Sequence, residues 1–103
     1  MITARFKKRE KQIKSYSIEG HAGFSNLGTD IVCAAVSALS TALTNALLDH
    51  SIELEHTQDN GLLRVWLKSP NEVSQILCDT LEQGLKSIEM NYPDSIQVVE
   101  WHE

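Results

Sequence analysis

The run DIVCAAVSALSTALTNALLDH, Asp30 to His50, decides the fold. Val32, Ala35, Val36, Leu39, Leu43, Ala46 and Leu47 recur in it at three- and four-residue intervals, which predicts a mostly buried helix. Thr29 or Asp30 is placed to cap its start. Immediately upstream, AGFSNLGT (Ala22 to Thr29) has two glycines and neither a helical nor a strand period, which predicts a mobile loop.

Outward from this helix the period changes to two. Ile2 to Phe6 alternates apolar and polar residues, and Ile13 to Ile18 does so more loosely. These predict two antiparallel strands joined at a basic segment, the second ending at Glu19-Gly20-His21. On the other side, Ile52 to His56 and Leu63 to Leu67 alternate about Gln58-Asp59-Asn60-Gly61, where Asn-Gly signals a tight turn and so a second hairpin. Ser69-Pro70-Asn71-Glu72 then offers an N-cap serine, proline at the first helical position and glutamate three residues after the cap. The helix predicted from there places Val73, Ile76, Leu77, Leu81, Leu85 and Ile88 inward. Glu72, Gln75, Asp79, Glu82, Lys86 and Glu89 fall between them toward solvent. Pro93 stops it, and Ser95 to Trp101 reads as a last strand. The order ββαββαβ predicts an α+β fold in which two helices cover one face of a mixed or antiparallel sheet, as a single domain over residues 1–103.

Composition narrows the function classes. The formal net charge of −5 argues against general nucleic-acid binding. It hides an asymmetry: Arg5, Lys7, Lys8, Arg9, Lys11 and Lys14 face only Glu10 in the first fourteen residues, whereas the rest of the chain is strongly acidic. A solvated hairpin tip explains that run more simply than a docking patch. Met1 to Phe6 shows no basic region leading into an apolar stretch, and no run reaches the roughly 18 to 20 apolar residues of a membrane span, so a soluble, unexported protein is expected. Cys33 and Cys78 both fall in helical patterns without metal-ligand spacing, which suggests neither disulfide nor zinc and fits reduced thiols in a cytoplasm.

The chemistry-bearing candidate is Cys33, read as lying in the first turn of its helix. There, unpaired backbone N–H groups and the positive end of the dipole favour a thiolate and an oxyanion. His21, closing the preceding strand, is the natural base, since the intervening loop can bring strand end and helix start together. His50, His56 and His102 are less well placed. Spacing alone leaves the plainer alternative open, in which Cys33 is a small core residue and His21 is merely exposed.

Gly20-His21-Ala22-Gly23 followed by Gly28-Thr29-Asp30-Ile31-Val32-Cys33-Ala34-Ala35-Val36-Ser37-Ala38-Leu39 resembles the signature of the ribosomal-processing cysteine protease family, Prp. Length and element order agree over essentially the whole chain. The resemblance implies a bacterial cytoplasmic endopeptidase, without a cofactor, that removes a short N-terminal extension from large-subunit ribosomal protein twenty-seven. It implies Cys33 as nucleophile, His21 as general base and a homodimer. Asp30 then either orients His21 or caps the helix, and Ser37, one turn after Cys33, either lines the site or packs. Residues 22–29 become a gate with Gly23 and Gly28 as hinges, and Cys78 a packing residue. Two other classes share these residues. One is a non-catalytic ribosome-associated module docking through the basic segment with Lys7, Lys8 and Arg9; the other is a thiol-dependent acyl-transfer hydrolase.

Overall fold

The structure, a computed structural model, describes residues 1–20 and 27–103, and for residues 27–30 it describes the backbone alone. The elements follow in the order β1 (Ile2–Arg9), β2 (Gln12–Glu19), α1 (Leu27–Asp49), β3 (Leu54–Asp59), β4 (Leu62–Leu67), α2 (Glu72–Asn91) and β5 (Ile96–His102). The five strands form one sheet in the order β3-β4-β2-β1-β5. The sheet is mixed, because β1 runs antiparallel to β2 and parallel to β5.

Alternation in the strands becomes two unlike sheet faces. Ile2, Ala4 and Phe6 of β1 pair in register with Ile96 of β5 and with Ile18 and Tyr16 of β2, and β4 adds Leu63, Val65 and Leu67. All are buried in one cluster with Val32, Val36 and Leu47 of α1 and Cys78, Leu81 and Leu85 of α2. Both helices therefore cover the same face, as the alternation predicts. The opposite face carries no helix among the described residues. Trp66 and Trp101 lie there 42% and 65% exposed. The helices meet closely at Gly84, where an added Cβ would come within 2.5 Å of Leu39 Cδ2.

Several boundaries depart from the sequence reading. The β1–β2 turn is made by Glu10 and Lys11, both left-handed at φ 51° and 68°, so two residues close the hairpin without glycine. The basic run lies mainly within the strands and not at the tip. Arg5 pairs with Glu19 at 2.7 Å, Lys7 with Glu103 at 2.8 Å, and Lys8 with both Glu82 and Glu100 at 2.9 Å. α2 starts two residues later than the Ser69 cap implies. Asn71 is the N-cap: its Oδ1 accepts from Ser74 N at 2.8 Å while its own N–H donates to Ser74 Oγ at 2.9 Å. Asparagine caps as well as serine, and in this helix Ser74 and Cys78 are buried. Val73 and Ile76 are exposed and Glu82 is turned inward, contrary to the amphipathic reading at those three positions, whereas Leu81 and Leu85 are buried as it expects.

α1 also begins earlier than predicted, at Leu27. Thr29 and Asp30 are residues of its first turn and not its cap, and the helix also includes Gly28. Helix glycine costs only about 1 kcal/mol, which burial of the helix outweighs. By length and apolar composition the stretch Ile31–Asp49 would also suffice to cross a membrane. Its Val32, Val36 and Leu47 are core residues here, and its Thr44 Oγ1 lies 2.7 Å from Tyr16 Oη in a buried hydrogen bond.

Candidate active site

Cys33 is a free, half-buried thiol whose side chain packs against the core and lines a cavity of about 310 Å³. α1 supplies one wall through Cys33, Ser37 and Thr41, spaced four residues apart and so on one helical line. The β3–β4 hairpin tip, Gln58 to Leu62, supplies the opposite wall, and Ile2, Ile18 and Leu63 of the sheet form the apolar base.

Gly20 completes the rim. Its N–H donates to Gly61 O at 2.9 Å, tying the end of β2 to the hairpin tip. It adopts φ +100°, and a Cβ would collide with Met1 O, so only glycine carries the chain past this point. The next residue in the sequence is His21.

Of the sequence candidates, the structure brings together Cys33 and Ser37. His21 and Gly23 lie outside the described residues, as does the side chain of Asp30. Within the cavity wall Ser40 Oγ is turned back to Val36 O at 2.7 Å, whereas Ser37 and Thr41 are exposed to the opening. Sequence reasoning missed Thr41, Gln58, Asp59 and Asn60. The polar stripe Cys33, Ser37, Thr41 at four-residue spacing carried the signal for Thr41, but nothing local indicated that the Asn60-Gly61 turn would close against α1.

Cys33 does not lie in the first turn of α1. The unpaired N–H groups of α1 belong to its first four residues, and Cys33 comes six residues after Leu27. The helix-end field falls off within the first turn, so it acts on Cys33 at most weakly. A nucleophilic Cys33 depends instead on a neighbouring base and on access through the cavity. Cys78 differs in both respects. It is 1% exposed, and burial, then the Asp79 carboxylate, pushes its thiol up to about 12.

Among the described residues, no group of three or more His, Cys, Asp or Glu side chains is arranged to hold a metal ion. A second hollow of about 440 Å³ lies on the open sheet face, lined by Arg5, Arg64, Trp66 and Trp101 among others. It is the larger of the two, but Cys33 is not part of its lining, and an attacking group is what the chemistry requires.

The chain matches the family model for cysteine protease Prp over residues 1–97. It is 28% identical over 109 aligned positions to the ribosomal processing cysteine protease Prp of Bacillus subtilis, covering 95% of this chain and 96% of that one. In structure it is similar to a Streptococcus mutans protein, with TM-score 0.85 and 31% identity over 100% of this chain and 96% of the other. The Staphylococcus aureus ribosomal processing protease Prp, solved with a covalently linked product peptide, superposes with TM-score 0.88 at 26% identity, covering 97% of this chain and 99% of that one. The same protease has also been solved with a substrate peptide. With a free cysteine opening into a cavity and a family match over nearly its whole length, the chain belongs to the cysteine protease Prp family and is a cysteine peptidase.

Proposed function

We propose that this peptidase removes the N-terminal extension of large-subunit ribosomal protein twenty-seven, with Cys33 as nucleophile and His21 as general base. The observation that carries the dyad is the cavity itself: Cys33 lines it, and Gly20, one peptide bond before His21, forms its rim. The Cys33 thiolate attacks the scissile carbonyl carbon, and His21 delivers the thiol proton to the departing amine. Water, deprotonated by His21, then hydrolyses the thioester and frees Cys33. Ser37 stands one turn further along the same wall, within the space a substrate side chain would occupy. The names of the relatives support ribosomal processing as the setting, and the peptide complexes of the Staphylococcus aureus protease support a peptide substrate. A reducing cytoplasm is the compartment in which the nucleophile remains a free thiol. The exposure of Trp66 and Trp101 on one sheet face supports the homodimer that the family resemblance implies.

The docking-module alternative loses its main support, because Lys7 and Lys8 are engaged by acidic side chains of the chain itself. The deciding experiment incubates wild type, Cys33→Ala and His21→Ala under reducing conditions with the extended N-terminal peptide of the organism's own ribosomal protein. Wild type should cut once. Each variant should lose at least about 10³-fold in kcat/KM while keeping its circular dichroism spectrum. Uncut peptide with wild type, or cleavage by Cys33→Ala, would sink the proposal.

A further inference from the structure

The sheet has exposed strand edges, and they are not treated alike. On β5, Val98 N–H donates to Glu89 Oε2 of α2 at 2.7 Å, and Ile96 N–H donates to Tyr92 O at 3.3 Å. Where β2 runs past the end of β4, Gln75 of α2 accepts from Ile13 N at 2.7 Å and donates to Ile13 O at 2.8 Å. α2 thus closes both places to further strand pairing.

β3 has no such cover among the described residues. It pairs only with β4, in a register that places Glu55 opposite Trp66 and Thr57 opposite Arg64. Lys68 N–H donates to Glu53 O at 3.0 Å, which identifies Glu53–Lys68 as a hydrogen-bonded pair of that register. Such pairs alternate along an antiparallel ladder, so Glu55, Thr57 and Asp59 also bond to β4. The backbone N–H and C=O groups of Leu54, His56 and Gln58 therefore point away from the sheet. Their side chains share the face of Leu63 and Val65, toward α1.

This edge leads to the cysteine. Gln58, Leu63 and Thr41 line the Cys33 cavity and also a smaller one, of about 50 Å³, that continues between α1 and β3 past Asn45 and His56. The six residues of β3 span about 20 Å at strand rise. Cys33 to Asn45 covers about 18 Å at helical rise, so a groove of matching length runs between them. The polar lining of the smaller cavity, Thr41, Thr44, Asn45, His56 and Gln58, contains no Lys, Arg, Asp or Glu.

We propose that the peptide substrate binds as a sixth strand on the β3 edge, hydrogen-bonded to the outward amides and carbonyls of Leu54, His56 and Gln58. Alternate side chains then enter the groove beside α1, and the scissile bond reaches Cys33 at the Asp59 end. The smaller cavity takes one small, uncharged side chain. This deepens the peptidase reading and rests on it: backbone pairing holds the chain extended, and the groove selects alternate residues.

Amide hydrogen exchange on full-length Cys33→Ala, with and without the N-terminal extension peptide, tests the geometry directly, alongside cleavage of the same peptide by wild type. Peptide should slow exchange at Leu54, His56 and Gln58 by about tenfold or more, and leave Glu55 and Thr57, already bonded to β4, within about twofold. His56→Pro should keep the fold, since its N–H faces away from β4, and should lower kcat/KM by about tenfold. Cleavage by wild type without protection at the three amides overturns strand addition and leaves the peptidase reading standing. Protection without cleavage supports strand addition and removes the proteolytic reading of this peptide, and the absence of both overturns the two together. Protection that rises with protein concentration in the absence of peptide assigns the edge to a second copy of the chain and overturns the proposal.

Discussion

The two helices lie side by side on one sheet face and carry one cysteine each, yet α2 is fastened and α1 is left open. α2 reaches down with three polar side chains: Gln75 to the backbone of Ile13, Glu82 to Lys8, and Glu89 to Val98 N–H. Its cysteine is sealed in the core. α1 keeps part of its polar face internal, through Ser40 to Val36 O and Thr44 to Tyr16, and presents Ser37 and Thr41 with Cys33 to a cavity. The side that holds the sheet together is thus separate from the side that carries the thiol. A site that must admit a chain cannot also have its strand edge capped by a helix.

The contrast is broken most forcefully on the fastened side. Lys8, 13% exposed in its side chain, donates to Oε1 of the buried Glu82 at 2.9 Å, while Lys86 approaches its Oε2 only to 3.8 Å. Lys8→Met leaves that carboxylate buried without its main partner and should cost about 3–5 kcal/mol in chemical denaturation. The double variant Lys8→Met/Glu82→Leu should recover much of it. A loss below about 1 kcal/mol would mean that the pair does not fasten α2.

A smaller effect separates the cysteines. With its thiol pushed up to about 12 by burial and then by Asp79, Cys78 stays protonated and enclosed at pH 8. Iodoacetamide should therefore modify Cys33 alone in the native protein and both residues in denaturant, as read by peptide mass mapping. Cys78→Ser should cost about 1–2 kcal/mol for a hydroxyl in an apolar site, and should leave peptide cleavage unchanged. Native labelling of Cys78 would erase the distinction.

The smallest effect is in acid. The Lys86 ammonium, then Lys8, holds the Glu100 carboxyl below the usual carboxylate range. A group whose folded value is depressed adds stability above its unfolded value, near pH 4.5, and loses it as pH falls through the folded one. Glu100 is 33% exposed in its side chain, so solvent screening limits the contribution to about 1 kcal/mol. Urea midpoints measured from pH 6 down to pH 2 should fall less steeply for Glu100→Gln than for wild type. Parallel curves would remove Glu100 from the acid response.

Much of this was legible along the chain. Seven elements, their order and the one-sided sheet follow from switches between periods of two and about 3.6, because those periods are set by backbone geometry and need no distant partner. Helix starts were less legible. Asn71 and Ser69 are comparable caps, and which one is used depends on the rotation that buries Ser74 and Cys78. Cys33 is legible through the family signature and Ser37 through its place one helical turn later, while Gln58, Asp59 and Asn60 look like any hairpin tip until the sheet order brings β3–β4 beside α1.

The amino-acid sequence by itself determined the α+β class, the helix that carries Cys33, the glycine-flanked His21 and the family signature joining them. All are local properties of residue type and spacing. Only the tertiary structure decided that Lys7 and Lys8 answer the chain's own acids, that Cys33 lies beyond the first turn of its helix, and that β3 is the edge left uncovered among the described residues. Charge pairing, burial and strand order each join residues tens of positions apart, and no local pattern encodes which of them will meet.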